Sequence, residues 1–395
     1  MIIKIQPGTT MYNIAVAFQL PLGIVIASNP NKDPNNLSIG DTLQIPGYQA
    51  DTRLINAGDT YWSISQQENT DINQLRLANQ YSPENLPIGR NLNIPKMVRG
   101  TIVQTDRIYS SSLMEEHLKE LVEVYPFLDL RVIGQSVMGK PIYEVRVGSG
   151  SKLVHVNGSF HANEAITTSV IMKFIEEYAE AITTNEPIRG NNMMNYFENV
   201  TLSLVPMVNP DGVDLLAEGV PSEQEYRDLA LEINNNSTDF SGWKANIRGV
   251  DLNNQYPANW QIEQNRKPKQ PSPRDFPGNA PLTEPEAIAM AELVGRENFD
   301  RVLALHTQGQ VIFWGYEGLE PPESQEIVSE YSRVSSFAPI RYVDSHAGFK
   351  DWFIQEFRLP GFTVELGKGV NPLPFNQFDE MYEQMLGIFL ANSYI

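Results

Sequence analysis

Leu153-Val154-His155-Val156-Asn157-Gly158-Ser159-Phe160-His161-Ala162-Asn163-Glu164 is the stretch that decides the fold. Its apolar start, Leu153 to Val156, reads as a buried strand, and Ala165 to Tyr178 alternates apolar and polar residues at helical spacing. His161 and Glu164 therefore stand between a strand exit and a helix entry, where open α/β sheets carry their sites. A distant piece, Leu303-Ala304-Leu305-His306-Thr307, closes another apolar strand, read over Val302 to Leu305, on a second histidine. Two nitrogens and one carboxylate hold a tetrahedral zinc ion with one position open, the arrangement of hydrolytic rather than structural zinc. His161, Glu164 and His306 are accordingly the expected ligands of one Zn2+ per chain.

The chain supplies its own control. His117-Leu118-Lys119-Glu120 has the same His-x-x-Glu spacing. It lies inside a helical pattern opened by Ser111 or Ser112, with Met114, Leu118, Leu121 and Tyr125 as the apolar stripe. That pair reads as a solvated helix face. His155 reads as a core histidine, since alternation along its strand turns it away from the strand end.

Further pieces occur in a fixed order: Val205-Pro206-Met207-Val208-Asn209-Pro210-Asp211-Gly212, then Gly249-Val250-Asp251-Leu252-Asn253, then Asp351-Trp352, then Gly361-Phe362-Thr363-Val364-Glu365-Leu366-Gly367. Together with the two histidine motifs, this succession resembles the zinc carboxypeptidase family over about residues 105–395. The resemblance implies an α/β fold with a mixed, mostly parallel sheet flanked by helices. It also implies that Glu365 is the general base and acid, taking a proton from the attacking water and passing it to the leaving amine. The apolar neighbours Phe362, Val364 and Leu366 argue against full exposure of that carboxylate.

Departures from the family pattern bear on substrate. Family members follow the Asn of Asp-x-Asn with an arginine that holds a terminal carboxylate. Here Asn253 is followed by Asn254, which lacks the bidentate guanidinium fork. Asn253 and Asn254 are thus substrate-binding candidates, and recognition of a free C-terminus is not expected to work in the family's way. The oxyanion-supporting arginine should follow a tryptophan, but Trp243 is followed by Lys244, with Arg248 four residues later; either cation can take the role. Strict counting puts Val343 at the family's substrate-capping tyrosine, leaving Tyr342 and His346 as candidates for it.

The first hundred residues contain a repeat with an offset near fifty. Pro7-Gly8-Thr9-Thr10-Met11-Tyr12-Asn13-Ile14 answers Ala57-Gly58-Asp59-Thr60-Tyr61-Trp62-Ser63-Ile64, and Leu37 to Pro46 answers Leu86 to Pro95. Each copy reads strand, two short helices, strand, with Thr9 or Asp59 capping the first helix. The pair resembles LysM modules, small βααβ folds that bind N-acetylglucosamine-containing glycans. That resemblance places glycan contacts at Gly8, Thr9, Thr10 and Asn29 in one copy, and at Gly58, Asp59, Thr60 and Asn79 in the other. The expected organisation is a module at 1–48, a second at 51–96, a linker at 97–104 and the catalytic domain at 105–395.

Residues 1–99 carry seven cations and seven anions, leaving 22 against 41 of the chain's 29 and 48 for the rest. Nucleic acid is a poor partner for so acidic a body. With no cysteine, disulfides and thiolate catalysis are excluded. The start Met1-Ile2-Ile3-Lys4-Ile5 has no basic n-region, and no stretch reads as a membrane span, so the expectation is a cytoplasmic protein without membrane partners, in a sporulation or spore-associated setting. The Pro-rich Lys267 to Pro285 reads as a surface loop near the site. Two LysM modules joined to a carboxypeptidase-like domain with Asn254 after Asn253 resemble the bacterial γ-D-glutamyl–meso-diaminopimelate peptidases. This implies peptidoglycan glycan and stem peptide as partners. The alternatives are a zinc carboxypeptidase of ordinary peptides and a wall- or spore-binding protein with an inactive enzyme domain.

Overall fold

The computed structural model describes residues 1–82 and 84–395. Contacts divide the chain into two compact units, Met1–Ile102 with His117–Asp129 and Glu176–Met194, and Val103–Glu116 with Leu130–Ile175 and Asn195–Ile395. This cut differs from the expected break at 97–104. The reason is local: Gly47 N–H donates to Val124 O at 2.7 Å, and Arg99 pairs with Glu186 at 3.2 Å, which draws those two later segments into the first unit.

Two βααβ modules build most of the first unit. In one, β1 (Ile2–Lys4) and β2 (Thr42–Gln44) pair antiparallel, Ile3 opposite Leu43, around helices α1 (Met11–Phe18) and α2 (Leu22–Ala27). In the other, β3 (Tyr48–Leu54) pairs antiparallel with β4 (Asn91–Met97) around α3 (Tyr61–Glu68) and α4 (Ile72–Ala78). A two-stranded ribbon is marginal alone, so each depends on its helices. Ile14, Phe18 and Val25 cover Leu43 and Ile45 in the first core, and Tyr61, Ile64 and Leu75 cover Leu92 and Ile94 in the second.

The first helices are capped one residue later than the pattern suggests. Thr10 accepts the Asn13 N–H and Thr60 accepts the Ser63 N–H. Thr9 and Asp59 instead accept backbone N–H groups from Gln6 and Asn56, closing the preceding turns, which Gly8 and Gly58 permit with φ of +84° and +89°. Asn29 and Asn79 do the same job in the two copies. Each amide donates to the helix (Val25 O or Leu75 O) and to the strand (Gln44 O or Asn93 O), and its oxygen accepts that strand's N–H, all at 2.8–2.9 Å.

The second unit is built on an eight-stranded sheet. Its strands are β5 (Asp129–Gln135), β6 (Pro141–Val147), β7 (Lys152–Asn157), β8 (Val200–Val205), β9 (Arg301–Thr307), β10 (Val311–Phe313), β11 (Ala338–Ile340) and β12 (Gly361–Leu366). They lie in the order β11-β10-β12-β9-β7-β8-β6-β5. The β12/β9, β9/β7, β7/β8 and β10/β11 pairs are parallel, while β10/β12 and β6/β8 are antiparallel. The expected mixed, mostly parallel sheet is what forms. All seven residues of β9 are buried, which is why Val302 to Leu305 is a continuous apolar run rather than an alternation.

Helix α5 (Ser111–Val124) buries Met114, Leu118, Leu121 and, just beyond its end, Tyr125. His117 is buried too, so its reading as a solvated residue fails: at i+3 from Met114 and i−4 from Leu121 it shares their face, and of the pair Glu120 alone is exposed. His155 is a core histidine, fully buried, with Nδ1 2.9 Å from Ser203 Oγ; burial, aided by Arg146, pushes its pKa down to about 3.

A second buried titratable group sits at Glu286, in the helix Pro285–Arg296, where Asn246 Nδ2 and Val137 N–H donate to its carboxylate at 3.3 Å. Burial, reinforced by Asp211 and Glu284, pushes its pKa up to about 8. A carboxyl raised in the folded state stabilises below its unfolded pKa and loses that contribution as pH rises through the folded value. Glu286→Gln is therefore expected to flatten the decline in Tm between about pH 5 and 8, and to match or exceed the parent at pH 8. Calorimetry of both proteins across that range checks this; parallel pH profiles would show that Glu286 does not titrate there.

Candidate active site and metal centre

Parallel strands β7, β9 and β12 end on one edge of the sheet, and the site is assembled there. After β7, a one-turn 3-10 helix, Ala162–Glu164, brings His161 and Glu164 to the same side. Hydroxyls brace the segment: Ser159 N–H donates to Thr167 Oγ1 at 2.8 Å, and Thr167 Oγ1 donates to Glu164 O at 2.8 Å. His306 is the penultimate residue of β9. Its register partner on β12 is Glu365, and partners on neighbouring strands point to the same face of the sheet.

The three expected ligands converge. His161 Nδ1 is 2.9 Å from Glu164 Oε1, His306 Nδ1 is 2.9 Å from Glu164 Oε2, and the two Nδ1 atoms are 3.1 Å apart. All three side chains are buried. The tautomer fits a metal as well. His161 Nε2 lies 3.2 Å from Asp251 Oδ1; an acceptor there fixes the proton on Nε2 and leaves the Nδ1 lone pair facing the cluster. Two imidazole nitrogens and a carboxylate, buried and facing one point, suit zinc.

Charge in the site is set by the surroundings. Burial favours the neutral form of Asp251, but Lys244, with Nζ 2.7 Å from Asp251 Oδ2, and His161 outweigh it and hold the carboxyl well below its usual range. Burial likewise opposes the Lys244 ammonium, yet Asp251 and Asp275 keep its pKa above the ordinary value. Glu164 is held low because the two imidazoles overcome its burial. Glu365 goes the other way: burial, with Glu164 nearby, pushes it up to about 7 against the pull of His306.

The other candidates divide. Lys244 is tied to the ligand cluster through Asp251, whereas Arg248 is half exposed and faces Glu284 at 3.4 Å. Asn253 Oδ1 accepts the Phe349 N–H at 2.9 Å, and its Nδ2 lies 3.4 Å from His306 Nε2. Asn254 is buried, with Oδ1 accepting from Lys267 Nζ at 2.7 Å. A cavity of about 190 Å³ opens beside Glu365 and is lined by Asn253, Val343 and Ser345 among others. Tyr342 and His346 are not among its lining: the Tyr342 hydroxyl donates to Glu320, and His346 Nδ1 meets the Tyr316 hydroxyl at 3.1 Å. Val343 occupies the place that counting assigned to the capping tyrosine. A larger depression of about 540 Å³ shares no residue with the site; its Lys140 and Ser111 both donate to Asp214.

In the modules, Gly8, Thr9, Thr10, Gly58, Asp59 and Thr60 form the two turn-and-cap loops, and both amide hydrogens of Asn29 and of Asn79 are taken internally. Tyr12 and Trp62, equivalent in the repeat and singled out by no motif, are about two-thirds exposed just after the caps. Sequence reasoning also passed over Asp251 as a bracket between Lys244 and His161, and Asn371, whose amide donates to Thr307 O and lies 3.4 Å from Glu164.

A zinc carboxypeptidase family model matches residues 114–387, and LysM domain models match 3–46 and 55–95. The chain belongs to the zinc carboxypeptidase family. Within it, the chain is 49% identical over its full length, and that of the relative, to gamma-D-glutamyl-L-diamino acid endopeptidase 1 of Lysinibacillus sphaericus. It is also 49% identical over 290 residues, 72% of this chain and 77% of the relative, to the uncharacterized protein YqgT of Bacillus subtilis. Bovine thrombin-activatable fibrinolysis inhibitor superposes with a TM-score of 0.59 at 17% identity, over 73% of this chain and 97% of that one. Carboxypeptidase A of Helicoverpa armigera gives 0.55 at 16% identity, over 88% and 98%. These two likenesses establish the carboxypeptidase-like fold. The family chain is a zinc metallopeptidase carrying two LysM domains, and no helix among its described residues is long and apolar enough to cross a membrane.

Metal analysis separates ligands from base. His161→Ala or His306→Ala is expected to lose zinc, because the remaining ligands cannot hold it against a chelator. Glu365→Gln is expected to keep zinc while its rate falls by about 10²–10⁴-fold. Zinc content by mass spectrometry beside peptide turnover checks both; a Gln variant that loses its zinc would make Glu365 a ligand.

Proposed function

We propose that this chain hydrolyses peptidoglycan stem peptides at the bond between the D-glutamate side-chain carboxyl and the diamino acid, with its LysM modules holding the glycan. The observation that carries this is the full-length identity to an endopeptidase named for that bond, a match that spans both the modules and the catalytic part of this chain. The γ-amide leaves the D-glutamate α-carboxylate free beside it, so the chain must accept a carboxylate that is not simply terminal. An Asn254 without a guanidinium fork is consistent with that demand.

Bound zinc supplies a Lewis acid that polarises the scissile carbonyl and acidifies a water. The residues then divide the work. Glu365, with a pKa raised toward neutrality, accepts the proton of the attacking water and returns it to the leaving amine. Lys244, aimed by Asp251 and Asp275, offsets negative charge developing on the carbonyl oxygen; Arg248 is engaged by Glu284. Asn253, braced by the Phe349 N–H, presents its amide beside Glu365 for the substrate backbone. In the modules, the turn-and-cap loops at Gly8–Thr10 and Gly58–Thr60 offer backbone groups to N-acetylated sugars, with Tyr12 and Trp62 as stacking faces. Action on cell-wall material follows, and a sporulation setting is our reading of where the chain acts.

Lys267 favours a second reading. Its ammonium, beside Asn254, stands in for a terminal-carboxylate clamp and suits a carboxypeptidase of ordinary peptides. The two diverge in their products. Incubating zinc-loaded protein with L-alanyl-γ-D-glutamyl-diaminopimelate peptides and with ordinary peptides is expected to release L-alanyl-D-glutamate from the first and no C-terminal residue from the second, as read by mass. Stepwise loss of C-terminal residues would establish the carboxypeptidase instead.

A further inference from the structure

One side chain outside the ligand set touches Glu164 and the residue next to His306, and the chemistry above gives it no task. It comes from the turn that follows β12. Gly367 and Gly369 adopt φ of +62° and +121° there, and the chain folds back toward the end of β9. A Cβ at Gly367 would stand 2.6 Å from Leu373 Cδ1 and from Met381 Sδ, so the turn admits no larger residue at that point. Gln377 closes it from the far side, accepting the Lys368 N–H at 3.0 Å and donating to Lys368 O at 2.8 Å. The Gly309 N–H donates to Gly367 O, and the Gly369 N–H donates to Gln308 Oε1, both at 2.9 Å. The turn is thus laced to the residues after β9, which sets Asn371 beside Thr307 and Glu164.

The Asn371 amide is held, not free. Thr307 Oγ1 donates to Asn371 Oδ1 at 2.7 Å, and Asn371 Nδ2 donates to Thr307 O at 2.9 Å. An amide nitrogen has two hydrogens, and the second faces Glu164 Oε1 at 3.4 Å. Among the described residues, only the two imidazoles and this amide bond the Glu164 carboxylate. The torsion that turns a glutamate carboxylate is broad and roughly two-fold, so an unanchored Glu164 would sample orientations that do not face an ion.

We infer that Asn371 is a positioning residue for the metal centre. It holds the plane of the Glu164 carboxylate and, through Thr307, the strand end that carries His306, and so governs how long the chain retains zinc. A neutral amide does this without adding charge to the ligand set. Thr307 acts through Asn371: its hydroxyl fixes which end of the amide faces Glu164. Retention of the metal does not depend on which peptide is cut, so the role holds for either substrate reading.

The test follows transfer of zinc from the full zinc-loaded chain to an excess of a coloured chelator, beside the Tm of zinc-loaded and zinc-free protein. Partners of metal ligands typically contribute about 10–100-fold to metal affinity, and Asn371→Ala is expected to release zinc faster by that order. The zinc-free Tm is expected to stay at the parent's value while the rise in Tm on adding zinc shrinks. Thr307→Val, which keeps the shape and removes the hydroxyl, is expected to speed release less, and Thr307→Ser to restore the parent's rate. Asn371→Ala combined with Thr307→Val is expected to be no faster than Asn371→Ala alone, because the hydroxyl has no amide left to orient. Release from Asn371→Ala at the parent's rate overturns the inference, as do fully additive effects in the double variant. If Asn371→Ala also lowers the zinc-free Tm, the Thr307 pair decides: equal release from Thr307→Val and Thr307→Ser overturns the role of the held amide.

Discussion

A carboxylate at Asp251, fully buried, is joined to an ammonium on one side and an imidazole on the other, and the catalytic edge of the sheet is arranged around it. Separated from either partner it would be a stranded charge in a low-dielectric interior. Between them it does two things. It fixes which nitrogen of His161 carries the proton, and hence which one faces the metal. It also anchors Lys244 at the edge of the ligand cluster, where a free lysine would reach out toward solvent. Asp251 Oδ1 additionally accepts the Asn253 N–H at 3.0 Å, so the same atom sets the turn that places the Asn253 amide beside His306.

Burial pushes Glu164 and Glu365 the same way, and the imidazoles facing them decide where each ends. Glu164 faces two imidazoles and stays ionised, as a ligand must. Glu365 has one imidazole and a neighbouring carboxylate and is raised toward neutrality, which suits the proton carrier proposed above. Placement on the sheet produces the difference. Glu164 lies in a turn that looks back at both histidines, and Glu365 stands on the adjoining strand beside only one of them.

The architecture of the sheet, the zinc ligands and the position of Glu365 were all legible in the sequence, because each is written in a local pattern: an apolar run, then a histidine or glutamate where the run ends. What escaped notice depends on contacts between distant segments. Asn371 reaches Glu164 across 207 residues and Lys267 reaches back to Asn254 over the helix Trp260–Arg266; no periodicity encodes either. Local errors have physical reasons too. Thr9 and Thr10 are equally good caps in composition, and the positive φ at Gly8 is what shifts the helix start to the second. His117 was read as solvated because histidine is polar, although its helical position put it on the covered face. Asn29 and Asn79 carry the mark of recognition residues, repeated polar side chains in matching loops, yet repetition served the fold: each ties a helix end to a strand.

The in-register pairing of β9 with β12 has a consequence for how this chain can change. Neighbouring residues on a strand face opposite sides, so a single-residue slip between these two would carry Glu365 to the far face of the sheet while His306 stayed with its metal site. No side-chain substitution could restore the alignment. Length variation in the catalytic unit is therefore confined to connections that leave the strand ends in place, such as the segment between Lys267 and Pro285. A lineage derived from this chain could trade substrates by remodelling those connections, while the spacing of Glu365 and His306 passed unaltered from ancestor to descendant.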